Sequence, residues 1–167
     1  MGHEPVPSKA AIKGHPLHPV VIPFPIAFGT ATVFTDAAYW VTDTRTWAVA
    51  SVWLLWATLA TGVVAGALGA IDYFGVAHVR EHETATRHGL GNAVVLVIVL
   101  ANALWRLPDL EDAVLPAGIV LSVLAAAILG YTGYLGGELS YKHLIGANPA
   151  QSEPDSPLVG SRRPSRD

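Results

Sequence analysis

The sequence lacks cysteine and is poor in charge, and both properties limit what the chain can be. Without cysteine, thiolate catalysis, disulfides and cysteine-ligated iron–sulfur clusters are excluded within the chain. Only 14% of its 167 residues are charged and 51% are hydrophobic. The mean hydropathy of +0.42 disfavours a soluble domain of this size. The formal net charge of −3 is too small to indicate nucleic-acid binding.

Long apolar runs dominate what remains, and they occupy residues 20–41, 48–71, 89–105 and 113–137. Each run approaches or exceeds the ~20 residues that a helix needs to cross ~30 Å of hydrocarbon. Only helices and closed barrels satisfy their backbone groups inside a bilayer, and these runs are too continuous for strands of period two. We therefore predict an all-α protein, an integral membrane four-helix transmembrane bundle.

The runs divide the chain into a polar N-terminal segment (1–13), a transmembrane domain (14–146) and a disordered cytoplasmic tail (147–167). With four crossings, the N-terminus, the second loop and the tail share one side of the membrane, which we call side A; the opposite side is side B. An excess of basic residues marks the cytoplasmic side of a membrane protein. Both termini are therefore expected in the cytoplasm, in a multi-pass protein of the bacterial inner membrane. The basic residues of side A are Lys9, Lys13, Arg80, Arg87, Lys142, Arg162, Arg163 and Arg166, and those of side B are Arg45 and Arg106.

Two ionisable residues lie at the far ends of the first and third predicted helices, Asp36 within the first run and Arg106 just after the third. Asp36 follows His18 by eighteen residues, and Arg106 follows His88 by the same interval. Eighteen residues span roughly 27 Å of helix, so both charges are expected at the same depth near side B. They can form a structural ion pair between the two helices. The alternative is an arginine that extends to the lipid headgroups.

Histidines are concentrated on side A, where three of them lie at membrane boundaries on different helices. If His18, His88 and His143 converge, their imidazoles can ligate a metal or provide the two axial ligands of haem b. By depth, His18 and His88 form the best axial pair, with His143 as a substitute and His15 as a further ligand. Arg87 and Lys142 are candidate partners of the haem propionates. Candidates for orienting the ligands or closing the pocket are Asp72, Asn92, Glu138 and Tyr141.

Two other interpretations of the histidines stay open. They can be interfacial side chains that cap helix ends and bind nothing, or they can hold a non-haem metal. His78 and His82, four residues apart, can share one helix face and bind a transition metal, although a solvated charged loop is the favoured explanation for them. The chain also lacks the Walker loop, the G-x-G-x-x-G fingerprint and the G-x-S-x-G elbow of common enzyme families.

Several short motifs together resemble one family of bacterial membrane proteins. They are Gly14-His15-Pro16-Leu17-His18-Pro19, Phe24-Pro25-Ile26, Gly66-xx-Gly69-xx-Asp72, His88-xxx-Asn92, Arg106 and Gly133-xx-Gly136-Gly137-Glu138-Leu139-x-Tyr141-x-His143. This set, spread over residues 12–146, resembles the bacterial predicted membrane proteins grouped as domain of unknown function 2231. The resemblance implies a four-helix inner-membrane protein whose motif histidines are His15, His18, His88 and His143. Some relatives are fused to a Rieske-type iron–sulfur domain, which implies a redox membrane anchor.

We therefore expect an integral membrane protein that binds haem b, or another redox metal, near the cytoplasmic face and acts in electron transfer. Its surroundings are the lipid bilayer, and its redox partner is a quinone or a separate protein. The alternatives are a non-haem metal-handling membrane protein and a cofactor-free structural or assembly subunit. Enzymatic activity and homo-oligomerisation stay open.

Overall fold

The computed structural model describes residues 6–146, so the predicted tail at 147–167 lies outside the described residues. The described chain is almost entirely helical, with one short hairpin before the first helix. In order it forms β1 (Ala11–Ile12), β2 (His15–Pro16), α1 (His18–Val21), α2 (Pro23–Thr42), α3 (Arg45–Gly75), α4 (Ala77–Glu81), α5 (Glu83–Trp105), a kinked segment (Val114–Gly118) and α6 (Ile119–Tyr141).

Four helical segments are long and apolar enough to cross a membrane, which confirms the predicted all-α transmembrane architecture. They are His18–Thr42, Arg45–Gly75, Glu83–Trp105 and Val114–Tyr141. Each extends beyond its apolar run at one end or at both. An apolar run marks only the part of a helix inside hydrocarbon, whereas backbone hydrogen bonding continues into the headgroup region.

Prolines interrupt the start of the first span. Pro19 and Pro23 occupy the first turns of α1 and α2, where a missing backbone N–H leaves no helical hydrogen bond unmade. Ile22 joins the two helices, and its N–H still donates to the His18 carbonyl at 3.1 Å. The break therefore sets His18 on a separate helical turn at the side A end of the bundle.

The four spans form an antiparallel bundle in which α2 packs against α3 and α6, and α5 packs against the same two helices. Helices α2 and α5 consequently lie on one diagonal of the bundle. Apolar side chains fill the middle of the bundle between two polar ends. The members of this central layer are Leu55, Val95, Val99, Ala103, Ala125 and Leu129.

The segment before the first span folds over the side A end of the bundle. Val6 pairs with the chain beyond α6, accepting from Gly146 N at 2.8 Å and donating to the Leu144 carbonyl at 3.1 Å. Beneath it, Val79 of α4 and Leu139 of α6 belong to one buried apolar cluster. This segment, together with α4, forms a cap over the side A end of the bundle.

Candidate functional site

The diagonal helices bring His18 and His88 together at the side A end. Their ring centres are 6.2 Å apart and the ring planes are nearly perpendicular, at 84°. Both side chains are half-buried. The pairing predicted from their equal depth is therefore present in the structure, and we call these two side chains the histidine pair.

Each imidazole of the histidine pair is fixed by a backbone carbonyl of a neighbouring helix. His18 Nδ1 lies 2.8 Å from the Ala65 oxygen on α3, and His88 Nδ1 lies 2.8 Å from the Thr132 oxygen on α6. A carbonyl oxygen can only accept, so Nδ1 carries the proton in both rings. In the neutral tautomer, each Nε2 then retains the lone pair that a metal requires.

A glycine lies against each ring of the pair, four residues beyond the carbonyl that the ring contacts. A Cβ added at Gly69 would lie 3.3 Å from His18 Cε1, and one added at Gly136 would lie 2.9 Å from His88 Cε1. Real side-chain carbons almost never make the second contact, so any side chain at position 136 would force the His88 ring to shift. The two helical hairpins therefore repeat one local arrangement, a relationship that their differing sequences did not reveal.

Asn92 connects His88 to α6. Its Nδ2 donates to the His88 carbonyl at 2.8 Å and lies 3.3 Å from His88 Nε2, while its Oδ1 accepts from the Thr132 hydroxyl at 3.1 Å. The long contact to Nε2 is the weakest of the three and is the one that a ligand would replace. Asn92 is thus placed beside the pair, at the position expected of a residue that orients a ligand.

His143 and His15 do not join the histidine pair. The His143 ring lies 4.4 Å from the His82 ring, and the exposed His15 ring contacts the Lys13 carbonyl at 3.2 Å through Nδ1. Across residues 6–146, no three histidine, aspartate or glutamate side chains are arranged to hold a metal ion. The expected convergence of His18, His88 and His143 on one metal is therefore wrong, because the chain turns away after α6 ends at Tyr141.

The basic candidates lie at the side A rim, each paired with an acid of its own helix. Arg87 Nη2 contacts Glu83 at 2.6 Å, and Lys142 donates to Glu138. The Glu138 carboxylate, by hydrogen bonding and by its charge, raises the pKa of Lys142 above its ordinary value. Tyr141 is 85% exposed, so its side chain does not close the pocket.

Asp72 anchors the N-terminal segment instead of orienting an imidazole. Its carboxylate accepts from the Ser8 hydroxyl at 2.7 and 2.9 Å, from Lys9 N at 2.7 Å and from Ala10 N at 3.0 Å. Asp72 lies in the last turn of the second span, so these contacts tie the segment over the side A end. The sequence separation of more than sixty residues explains why this role was missed.

At the opposite end of the bundle, Asp36 and Arg106 form the ion pair that their spacing predicts. Arg106 Nη1 and Nη2 donate to the two Asp36 oxygens at 2.7 and 2.8 Å, and both side chains are 0% exposed. The bidentate geometry supplies two charge-assisted hydrogen bonds. This pair joins α2 to α5 across the diagonal of the bundle.

Three neutral polar side chains complete this buried cluster. Ser51 donates to Asp36 and accepts from Arg106 Nη1 at 2.6 Å. Ser122 donates to Asp36 at 2.6 Å, and Asn102 accepts from Arg106 Nε at 3.0 Å. Sequence reasoning missed both serines, and the signal was an isolated hydroxyl in each of two apolar runs. Every polar atom of the ion pair thus has a partner away from water.

Comparisons with known proteins identify the family of the chain. No curated protein and no solved structure matches the chain. A family model with the description "Predicted membrane protein (DUF2231)" matches residues 14–149, which include all four spans and both polar ends of the bundle. The chain therefore belongs to this family of membrane proteins, as its motifs indicated.

Proposed function

We propose that the histidine pair supplies the two axial ligands of a b-type haem, and that the protein transfers electrons within the bacterial cytoplasmic membrane. One observation carries the proposal. His18 and His88 face each other at 6.2 Å with both Nδ1 atoms bonded to backbone carbonyls. Two imidazoles that ligate one metal from opposite sides, with nitrogens about 2 Å from it, have ring centres on the order of 6 Å apart.

The number of ligands favours haem over a bare metal ion. A structural zinc site needs four protein ligands and a catalytic one needs three, whereas haem iron takes only two from the protein. The histidine pair offers two, and no third His, Asp or Glu completes a metal site among residues 6–146. Gly69 and Gly136 let each imidazole pack directly against the neighbouring helix, which helps to hold both rings in place.

The chain's own residues then have defined tasks. The backbone carbonyls of Ala65 and Thr132 orient the rings and increase the basicity of the opposite nitrogens. The capping segment and the bundle reduce access of water, while Arg87 and Lys142 at the rim are suited to anionic propionates. A bound haem would supply reversible one-electron chemistry at its iron. The basic residues of side A support a cytoplasmic location for this end.

Purification in a mild detergent tests the proposal by visible spectroscopy. The wild-type protein should show a Soret band and a low-spin iron signal, because both axial positions are occupied by imidazole. His18→Ala and His88→Ala should each lose the low-spin signal and most of the bound haem. His15→Ala is the matched control, because the exposed His15 ring contacts the Lys13 carbonyl and does not belong to the histidine pair. This variant should retain both signals.

The other outcomes are equally informative. A folded but colourless wild-type protein, after expression with added haem precursor, would contradict the proposal and favour a structural subunit. Stoichiometric non-haem metal that disappears in His18→Ala and His88→Ala would favour metal handling instead. Circular dichroism and gel filtration of each variant separate loss of the cofactor from loss of the fold.

A further inference from the structure

A second group of histidines lies in the cap, apart from the histidine pair. His78 is on α4, His82 precedes α5, and His143 follows α6. The His78 and His82 rings are 4.9 Å apart, and the His82 and His143 rings are 4.4 Å apart. Two neighbouring positions between the second and third spans and one position beyond the fourth thus bring three imidazoles together, and we call this group the cap histidines.

The distance between two of their nitrogens matches a metal site. His78 Nε2 and His82 Nε2 are 3.4 Å apart. Two nitrogens bound to one tetrahedral ion at ~2.0–2.1 Å are about 3.4 Å from each other. The four-residue interval between the two histidines therefore gives their nitrogens the separation of one edge of a coordination tetrahedron, and a bound metal would replace the hydrogen bond that joins them.

A carboxylate favours the required protonation state of the first ligand. Glu81 Oε2 lies 3.5 Å from His78 Nδ1, so a proton on Nδ1 is stabilised and Nε2 is left with its lone pair. Carboxylates commonly support metal-ligating histidines in this manner. Imidazole donors suit zinc, copper, nickel and cobalt, whereas calcium and magnesium prefer oxygen ligands.

The third imidazole is close to this edge but is not aligned with it. The His143 ring is inclined by 44° to the His82 ring, and no three ligating side chains within residues 6–146 already have metal-site geometry. His143 is half-buried and follows the last helical turn, so rotation about its side-chain torsions is the change needed. A metal would thereby connect α4 and the start of α5 to the end of α6.

We propose that His78, His82 and His143 bind one divalent transition-metal ion at the surface of the cap, with His143 rotating to become the third ligand. Water or a carboxylate then occupies the fourth position. The bound ion fastens the connection between the second and third spans to the end of the fourth. This site is independent of the histidine pair, so mutations can abolish one without affecting the other.

Titration with Co²⁺ tests the proposal on the full-length protein, purified with a tag free of histidine and treated with a chelator. The wild type should bind one equivalent and develop visible absorption bands of tetrahedral intensity. His82→Ala and His143→Ala should each weaken binding by more than the roughly 10–100-fold typical of losing an outer-shell partner. Glu81→Gln should weaken binding within that range.

Control variants outside the cap histidines make the result decisive. His15→Ala should leave Co²⁺ affinity unchanged, and so should His18→Ala with His88→Ala, which affect only the histidine pair. No saturable Co²⁺ binding by the wild type would overturn the proposal. Unchanged affinity in His143→Ala would also overturn it, because the site would then consist of the α4 pair alone. Circular dichroism of each variant identifies any loss of fold.

Discussion

Replacing Asp36 by asparagine should destabilise the bundle more than any comparable change of a surface charge. The substitution keeps the shape of the side chain but removes the charge that faces Arg106. Two charge-assisted hydrogen bonds, at 2.7 and 2.8 Å, lose their ionised acceptor in a site with 0% exposure. Removing one partner of a buried ion pair typically costs about 3–5 kcal/mol, because the other charge remains uncompensated. We expect a loss of that size for Asp36→Asn.

The chain offers a matched control for this prediction. Arg45 and Glu111 also form an ion pair at side B, with a distance of 2.6 Å, but their side chains are 66% and 35% exposed. Exposed pairs contribute only ~0–1 kcal/mol, since water solvates the charges well and the side chains lose conformational freedom. Glu111→Gln should therefore change stability by less than ~1 kcal/mol.

Reversible unfolding in mixed micelles, followed by circular dichroism as the denaturing detergent increases, measures both variants. The double variant Asp36→Leu with Arg106→Met should recover much of the loss, because it removes both buried charges and leaves apolar side chains of similar size. If Asp36→Asn and Glu111→Gln have equal effects, burial of the pair does not determine its contribution, and the reasoning is refuted.

Two further substitutions test the packing of the side A end. Gly136→Ala should reduce stability and disturb the His88 ring, because the new Cβ would lie 2.9 Å from it. Gly133→Ala meets nothing within 4 Å and should be tolerated. Thermal unfolding of the two variants checks this prediction, and equal midpoints would contradict it. Asp72→Ala should expose the N-terminal segment to trypsin, since the carboxylate accepts from two backbone N–H groups and from Ser8. Ser8→Ala removes only one of these donors, so it should increase the cleavage rate less.

The sequence was sufficient to predict the four spans and the residues of the first and third spans that contact each other across the bundle. Run length identifies a transmembrane helix because the hydrocarbon thickness is fixed, and equal spacing from His18 to Asp36 and from His88 to Arg106 gives equal depth. The rotation of each helix was harder to predict. In lipid the outer face of a helix is as apolar as its inner face, so hydrophobic periodicity does not identify the side that packs.

The positions that escaped prediction are those set by contacts distant in sequence. Ser51 was one hydroxyl among apolar residues, and nothing local indicated that it faces Asp36. The position of the His143 side chain depends on where α6 ends and on how the chain turns beyond it. In the structure, Val6 pairs with Ile145, two residues after His143. The anchoring role of Asp72 likewise required knowing that the N-terminal segment folds back over the bundle.

The two polar ends of the bundle depend on each other through the geometry of α2 and α5. These helices occupy opposite corners and share few direct contacts, so the Asp36–Arg106 pair is their main fixed point across the bundle axis. An ion pair tolerates little displacement because its bidentate geometry is lost when one helix slides or rotates. Since helical rise is constant, fixing depth and rotation at side B also fixes them at the other end, roughly 27 Å away. The buried charges therefore set the depth of His88 and of the start of α2, to which Ile22 joins the short helix that carries His18.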